Sequence, residues 1–180
     1  MVRTFIAIDL TPEVRERMRG PQGVLAGCQA RLTVVKPDSI HITLKFLGEI
    51  DEKTCDRVKE ALSTIRFEPF EISLGGVKGN PPSFPRVIWS NVRDEGGCGR
   101  LFALVEEALL SLGVQKEKRA YTPHATIARV KRFDPSLLPA LKNLASEEFG
   151  SCPVRCIKLK KSTLTPSGPI YEDIMEVRCA

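Results

Sequence analysis

His41 and His124 are the only two histidines in the chain, and each is followed two positions later by a threonine, Thr43 and Thr126. Ten of the 180 residues are threonine, so the chance that both histidines carry one at that offset is about 0.003, small against the usual false-positive risk of a short motif. Imidazole is the side chain whose free pKa lies nearest neutrality, so two of them facing one site can divide acid and base work. Each threonine adds a neutral hydroxyl donor suited to a phosphoryl oxygen whose charge grows in the transition state. A strained cyclic phosphodiester fits this set, because in-line attack on it needs protons moved and charge held, with no metal. A lone His beside a Thr is ordinarily a hydrogen-bonded structural residue; the duplication sets this pair apart.

The first pair sits in Ser39–Gly48, where Ile40, Ile42, Leu44 and Phe46 alternate with His41, Thr43 and Lys45. That period of two marks a strand with one face on a core, so His41 and Thr43 point the same way. By the same alternation Lys45 shares their face, either adding positive potential or standing as a solvated strand lysine. The second pair lies in Tyr121–Arg129 with short apolar residues between. A first strand is expected over Arg3–Asp9, then a helix from Pro12 to Arg19 with Thr11 as N-cap and Pro12 at its first position. Gly20-Pro21 interrupts that helix, and its resumption is left open. Ala30–Val35 is expected as a strand, and Asp51 as the cap of a helix over Glu52–Ile65. Phe70–Leu74 and Arg86–Val92 read as a hairpin-like pair holding Trp89, a residue suited to core or to a cleft wall, with core the commoner place. Gly96-Gly97-Cys98-Gly99 lacks the Lys-Ser/Thr tail of a phosphate loop and reads as a helix entry. A helix over Arg100–Leu112, a short one after Asp134-Pro135 reaching Ser146, a strand over Cys152–Leu164, the turn Thr165–Pro169 and a last strand over Ile170–Val177 complete the expectation. Strands and helices interleave in two similar rounds, one histidine strand in each. The economical architecture is α+β, two antiparallel sheets facing each other across a cleft with helices outside.

With 42% hydrophobic and 27% charged residues the composition is that of a globular chain, and no stretch approaches the ~20 apolar residues of a membrane span. The start of the chain lacks the features of a signal peptide, so a cytoplasmic location is expected. Six scattered cysteines without a CxxC pair are expected to stay reduced. Two histidines 83 positions apart, with no clustered ligands, give no expectation of a metal or other cofactor. The net charge of +5 suits an anionic partner but is common among proteins that bind none.

His41-Ile42-Thr43-Leu44 and His124-Ala125-Thr126-Ile127 resemble the two HxTx motifs of the RNA 2′,3′-cyclic phosphodiesterases, also called 2′-5′ RNA ligases, of the two-histidine (2H) phosphoesterase superfamily. Phe5-Ile6-Ala7-Ile8, Phe46-Leu47-Gly48-Glu49, Thr122-Pro123, Arg129, Ser162-Thr163-Leu164 and Ser167-Gly168-Pro169-Ile170-Tyr171 extend the likeness over essentially the whole chain. The resemblance implies a single bilobed, pseudo-twofold fold over residues 1–180, with one motif per lobe. It also implies metal-free hydrolysis of RNA 2′,3′-cyclic phosphate ends to 2′-phosphates, with the reverse 2′-5′ joining. His41 would be the proton donor, His124 the proton acceptor, and Thr43 and Thr126 the phosphoryl contacts; Phe46, Arg129, Lys45 and Tyr171 would touch the substrate. A monomer is expected.

Phe46 and Arg129 each lie five positions after their histidine and could bracket a nucleobase. Strict alternation puts an odd offset on the opposite face, so this role requires a bulge, expected near Gly48 and after Ala128. Two other readings remain: a 2H cyclic phosphodiesterase acting on small nucleotides, and a non-catalytic RNA-binding module whose affinity would survive loss of both histidines.

Overall fold

The computed structural model describes residues 1–166 and 168–180; Ser167, part of the expected turn before the last strand, lies outside them. Strand β1 (Val2–Asp9) leads into helices α1 (Pro12–Arg17) and α2 (Arg19–Ala26), then β2 (Arg31–Val34) and a 3-10 turn over Pro37–Ser39. The first histidine opens β3 (His41–Ile50), followed by α3 (Glu52–Ser63), β4 (Phe70–Asn80), β5 (Val87–Arg93) and α4 (Gly97–Leu110). The second opens β6 (His124–Arg132), followed by α5 (Leu137–Asn143), β7 (Glu148–Val154), β8 (Cys156–Thr165) and β9 (Gly168–Arg178).

The helix starts follow capping chemistry. Thr11 Oγ1 accepts from Val14 N with Pro12 in the first turn, and Asp51 Oδ1 accepts from Thr54 N at 2.7 Å, each satisfying an orphan amide. The glycine run before α4 has a structural reason. Gly96 is left-handed with φ 82°, a Cβ on Gly97 would collide with the Phe70 ring, and Asp94 accepts from Cys98 N at 2.6 Å to start the helix. Gly20-Pro21 does not interrupt the helix as expected: the break falls at Met18, between α1 and α2, and Pro21 lies in the first turn of α2, where a missing N–H costs nothing.

The strands form one strongly curled antiparallel sheet in the order β7-β4-β5-β6-β3-β1-β8-β9, with β2 added to β6. The two expected sheets are its two halves, β3-β1-β8-β9 and β6-β5-β4-β7, which meet at one backbone pair, Ile42 with Ala125. Each histidine strand is the innermost of its half. Helix α4 packs on β3 and β4, α1 on β7, and α2 on β2 and α5. A continuous core runs beneath both halves through Ile6, Ile42, Leu74, Ile88, Leu101, Ile127 and Ile157, each at most 1% exposed.

Two expectations are corrected. The stretch Cys152–Leu164 is two strands, β7 on β4 and β8 on β1, separated at Arg155 where the chain crosses from one half of the sheet to the other. The halves are also interleaved in sequence, since β8 and β9 return to pair beside β1. All six cysteines are free thiols. No helix among the described residues is long and apolar enough to cross a membrane.

Candidate active site

The junction of the two halves brings the histidines together. Ile42 pairs with Ala125, both fully buried, so the antiparallel sense sets His41 against Thr126 and Thr43 against His124, all on the opposite, open face. The burial patterns of β3 and β6 are the same over the nine residues of β6, from the histidine onward.

That shared pattern breaks alternation at the same place in both strands. On β3 the register with β1 skips Leu44, with Ala7 opposite Thr43 and Ile6 opposite Lys45. On β6 the register with β5 skips Ile127, with Trp89 opposite Thr126 and Ile88 opposite Ala128. Each skip inserts one extra residue at the third position after a histidine, a β-bulge that returns the fifth position to the histidine face. Phe46, 63% exposed, and Arg129, also exposed, therefore lie on the open side with the histidines. The bulges that turn these two side chains sit at Leu44 and Ile127, the last residues of the motifs, and the expected places carry register shifts as well, at Leu47 beside Gly48 in the pairing with β1 and at Lys131 after Ala128 in the pairing with β2.

The same bulge corrects the placement of Lys45. It turns away from His41 and inward, 8% exposed, with Nζ 2.5 Å from Glu106 Oε1 and donating to Gln115 O at 2.7 Å. It adds no free charge to the histidine row. Carbonyls beside the bulges are satisfied: Tyr121 Oη donates to Thr43 O at 3.2 Å, and the buried Gln22 Nε2 donates to Ile127 O at 3.0 Å. Gln22 is a site-shaping residue with no signature in sequence, since it acts from helix α2 on a backbone atom.

Both imidazoles are held alike. His41 Nδ1–H donates to Ser39 O and His124 Nδ1–H to Thr122 O, each at 2.8 Å. A carbonyl can only accept, so the proton of the neutral ring sits on Nδ1 and Nε2 is the unprotonated nitrogen in both rings. Thr43 Oγ1 lies 3.1 Å from His41 Nε2. Aromatic rings fix the orientations further: Phe5 packs on His41 with centroids 4.9 Å apart, and Tyr171 meets it edge-on at 5.2 Å. Trp89, for which core was the commoner place, is half-buried instead and lies on His124 at 4.4 Å. Its place opposite Thr126 makes it a wall of the cleft.

A cavity of about 270 Å³ flanks His41, lined by Asp9, Arg15, Lys36, Lys160 and Tyr171 among others. Behind it the charges are paired: Lys160 Nζ lies 3.0 Å from Asp9 and 2.6 Å from Asp173, and Arg15 lies 3.2 Å from Asp9. Burial pushes the His41 imidazole down to about 4, with the Ser39 carbonyl acting in the opposite sense and Lys160 reinforcing the fall. Burial likewise pushes the Tyr171 phenol up, against the opposing pull of Arg129 and Arg3, which places Arg129 within electrostatic reach of Tyr171. No group of three or more His, Cys, Asp or Glu that could hold a metal is present among the described residues.

Comparison with known proteins agrees with the geometry. The family model described as the 2′-5′ RNA ligase superfamily matches residues 16–161. A protein of Archaeoglobus fulgidus named RNA 2′,3′-cyclic phosphodiesterase is 41% identical over 96% of this chain and 98% of its own. Proteins of the same name from Methanothermobacter thermautotrophicus and Thermotoga maritima are 37% and 31% identical, over 98% and 97% of this chain and 97% and 94% of theirs. Among solved structures, TT0787 of Thermus thermophilus superposes with a TM-score of 0.81 at 27% identity, covering 98% of this chain and 97% of that one. E. coli LigT complexed with 3′-AMP gives 0.84 at 23% identity over 99% and 98%, a likeness of fold. With two histidine–threonine rows meeting at one backbone pair, and relatives matched almost end to end, the chain belongs to the 2′-5′ RNA ligase superfamily, in its RNA 2′,3′-cyclic phosphodiesterase family.

Proposed function

We propose that the protein hydrolyses RNA 2′,3′-cyclic phosphate ends to 2′-phosphate ends by two-histidine acid–base chemistry without a metal ion, and that the same site runs the reverse 2′-5′ joining. The observation that carries this reading is the meeting of the two His-x-Thr rows at Ile42 and Ala125, with Nδ1 of both rings tied to a carbonyl and Nε2 left as the working nitrogen. Water gives a proton to His124 Nε2 as its oxygen bonds to phosphorus. The P–O3′ bond breaks, and O3′ takes a proton from His41 Nε2, leaving a 2′-phosphate and a 3′-hydroxyl. Thr43 and Thr126 donate to the non-bridging oxygens, where charge grows. The terminal base lies between Phe46 and the Arg129 guanidinium, with Tyr171 beside His41. In the joining direction a 5′-hydroxyl takes the place of the water: it gives its proton to His124 as its oxygen bonds to phosphorus, and O3′ again takes a proton from His41. The histidines exchange roles only when a 2′-5′ bond is opened by the neighbouring 3′-hydroxyl.

The test is turnover of an oligonucleotide ending in a 2′,3′-cyclic phosphate, in EDTA, with the product phosphate located. A 2′-phosphate at undiminished rate is expected; activity lost in EDTA and restored by a divalent ion, or a 3′-phosphate product, would overturn the reading. One observation favours a second assignment of roles: burial leaves His41 neutral at neutral pH, as suits a base. An activated leaving group decides. With His41 as acid, His41→Ala is rescued by it and His124→Ala is not; with His41 as base, the pattern reverses.

A further inference from the structure

A second cavity, a groove of about 630 Å³, begins at Phe46 and Leu47 on β3 and is walled on its other side by Val114 to Arg119, between α4 and β6. Three of its lining residues, Lys116, Lys118 and Arg119, are exposed cations, and none forms an ion pair among the described residues. The only acid in its lining is Glu117, whose Oε1 accepts from the backbone N–H groups of Lys118 and Arg119 at 3.0 and 3.3 Å. The groove thus presents positive charge to whatever enters it.

Its floor is fixed by the buried pair already described. Lys45 Nζ donates to Gln115 O, and Glu106, bound to Lys45, accepts from Glu117 N at 3.0 Å through its other carboxylate oxygen. Both ends of Gln115–Glu117 are tied to a charge pair less than a tenth exposed, one residue from Phe46 in β3. The bulge at Leu44 that sends Lys45 inward turns Phe46 outward, so one local irregularity pins the basic segment and aims the aromatic ring. Phe46 belongs to the histidine face at one end and to the groove at the other.

Resting on the reading of the cleft given above, we infer that this groove holds the single-stranded RNA on the 5′ side of the cyclic phosphate. The terminal base stacks on Phe46, and the phosphodiesters upstream run past Lys116, Lys118 and Arg119. Unpaired bases stack on exposed aromatic rings, and cations along the backbone release its counterions. The occupant is a polyanion with aromatic units, which is what the lining of the groove complements. The consequence is a preference for RNA ends over free nucleoside cyclic phosphates, set outside the reacting centre.

The experiment compares kcat/KM for a nucleoside 2′,3′-cyclic phosphate and for a five-nucleotide RNA with the same 3′ nucleoside, in the natural chain and in the variant Lys116→Ala, Lys118→Ala, Arg119→Ala. The natural chain should prefer the RNA, with the preference falling as salt rises. The variant, whose melting temperature should not move, should lose roughly tenfold or more of that preference through KM, and its salt slope should shrink by about two, the release from three single-strand contacts. An unchanged preference, or an equal loss on both substrates, overturns the groove as an RNA track, as does competition by an acidic peptide that matches RNA. If the natural chain turns over neither substrate, the reading of the cleft fails instead. Fluorescence anisotropy of a labelled five-nucleotide RNA then decides the groove: weaker binding to the variant supports it, and equal binding overturns it.

Discussion

His41 enters the cleft with an imidazole that burial keeps neutral, titrating near 4 against 6.5 for the free side chain. In the unfolded chain the same residue takes its proton at the ordinary value. Between those two values the unfolded state binds the extra proton, so stability falls as pH drops from about 6.5 toward about 4. Fully developed, the effect is on the order of 3 kcal/mol. His41→Gln, which cannot titrate, should lose less stability than the natural chain when denaturant unfolding is measured at pH 6.5 and again at 4.5. An equal loss in both would mean that the folded His41 titrates normally. The same substitution should lower kcat/KM roughly 10²- to 10⁴-fold, the scale of one positioned proton-transfer group. Substrate bound in the cleft brings negative charge toward His41, which favours the protonated ring that the proposed acid role needs.

In β3 and β6 the residue inserted three positions after each histidine decides which side chains reach the open face. Without Leu44 as an extra residue, Phe46 would face the core and Lys45 the cleft, which is the arrangement strict alternation gives. The bulge instead buries an ammonium, tolerable only because Glu106 and Gln115 O meet it. Lys45→Met should therefore cost about 3–5 kcal/mol, since it strands the Glu106 carboxylate in the core. The double variant Lys45→Met, Glu106→Leu should recover most of that loss, as two apolar side chains replace the pair. Denaturant titration of the single and double variants checks this, and a double variant as unstable as the single would show that the loss does not come from an unpaired charge. Phe46→Leu, at a position 63% exposed, should leave the melting temperature alone and raise KM for an RNA end.

At the scale of the molecule, the site exists because two antiparallel halves touch at Ile42 and Ala125 and diverge on either side. Ala125 is fully buried there, and a larger side chain would wedge the halves apart. Ala125→Leu should destabilise by about 1–3 kcal/mol through overpacking. It should also slow kcat by more than a change of similar stability cost far from the junction, such as Val154→Ala on β7. Equal kcat in the two variants, matched for stability, would show that spacing at the junction does not set the rate.

Much of this was legible in the chain. The two His-x-Thr pairs, the alternation that puts each His and Thr on one face, and the caps Thr11 and Asp51 depend on neighbours within a few residues, and the structure contains them as read. What depends on a partner strand was not legible. The insertions at Leu44 and Ile127 are defined only by the registers of β1 and β5, and they decide that Phe46 faces out, Lys45 faces in and Arg129 joins the cleft. Trp89 meets His124 because β5 lies beside β6, and Cys152–Leu164 divides in two because its ends pair in different halves of the sheet. Alternation records which side of a strand is buried; hydrogen bonds to residues far along the chain decide which strand lies next to it and where an extra residue is absorbed.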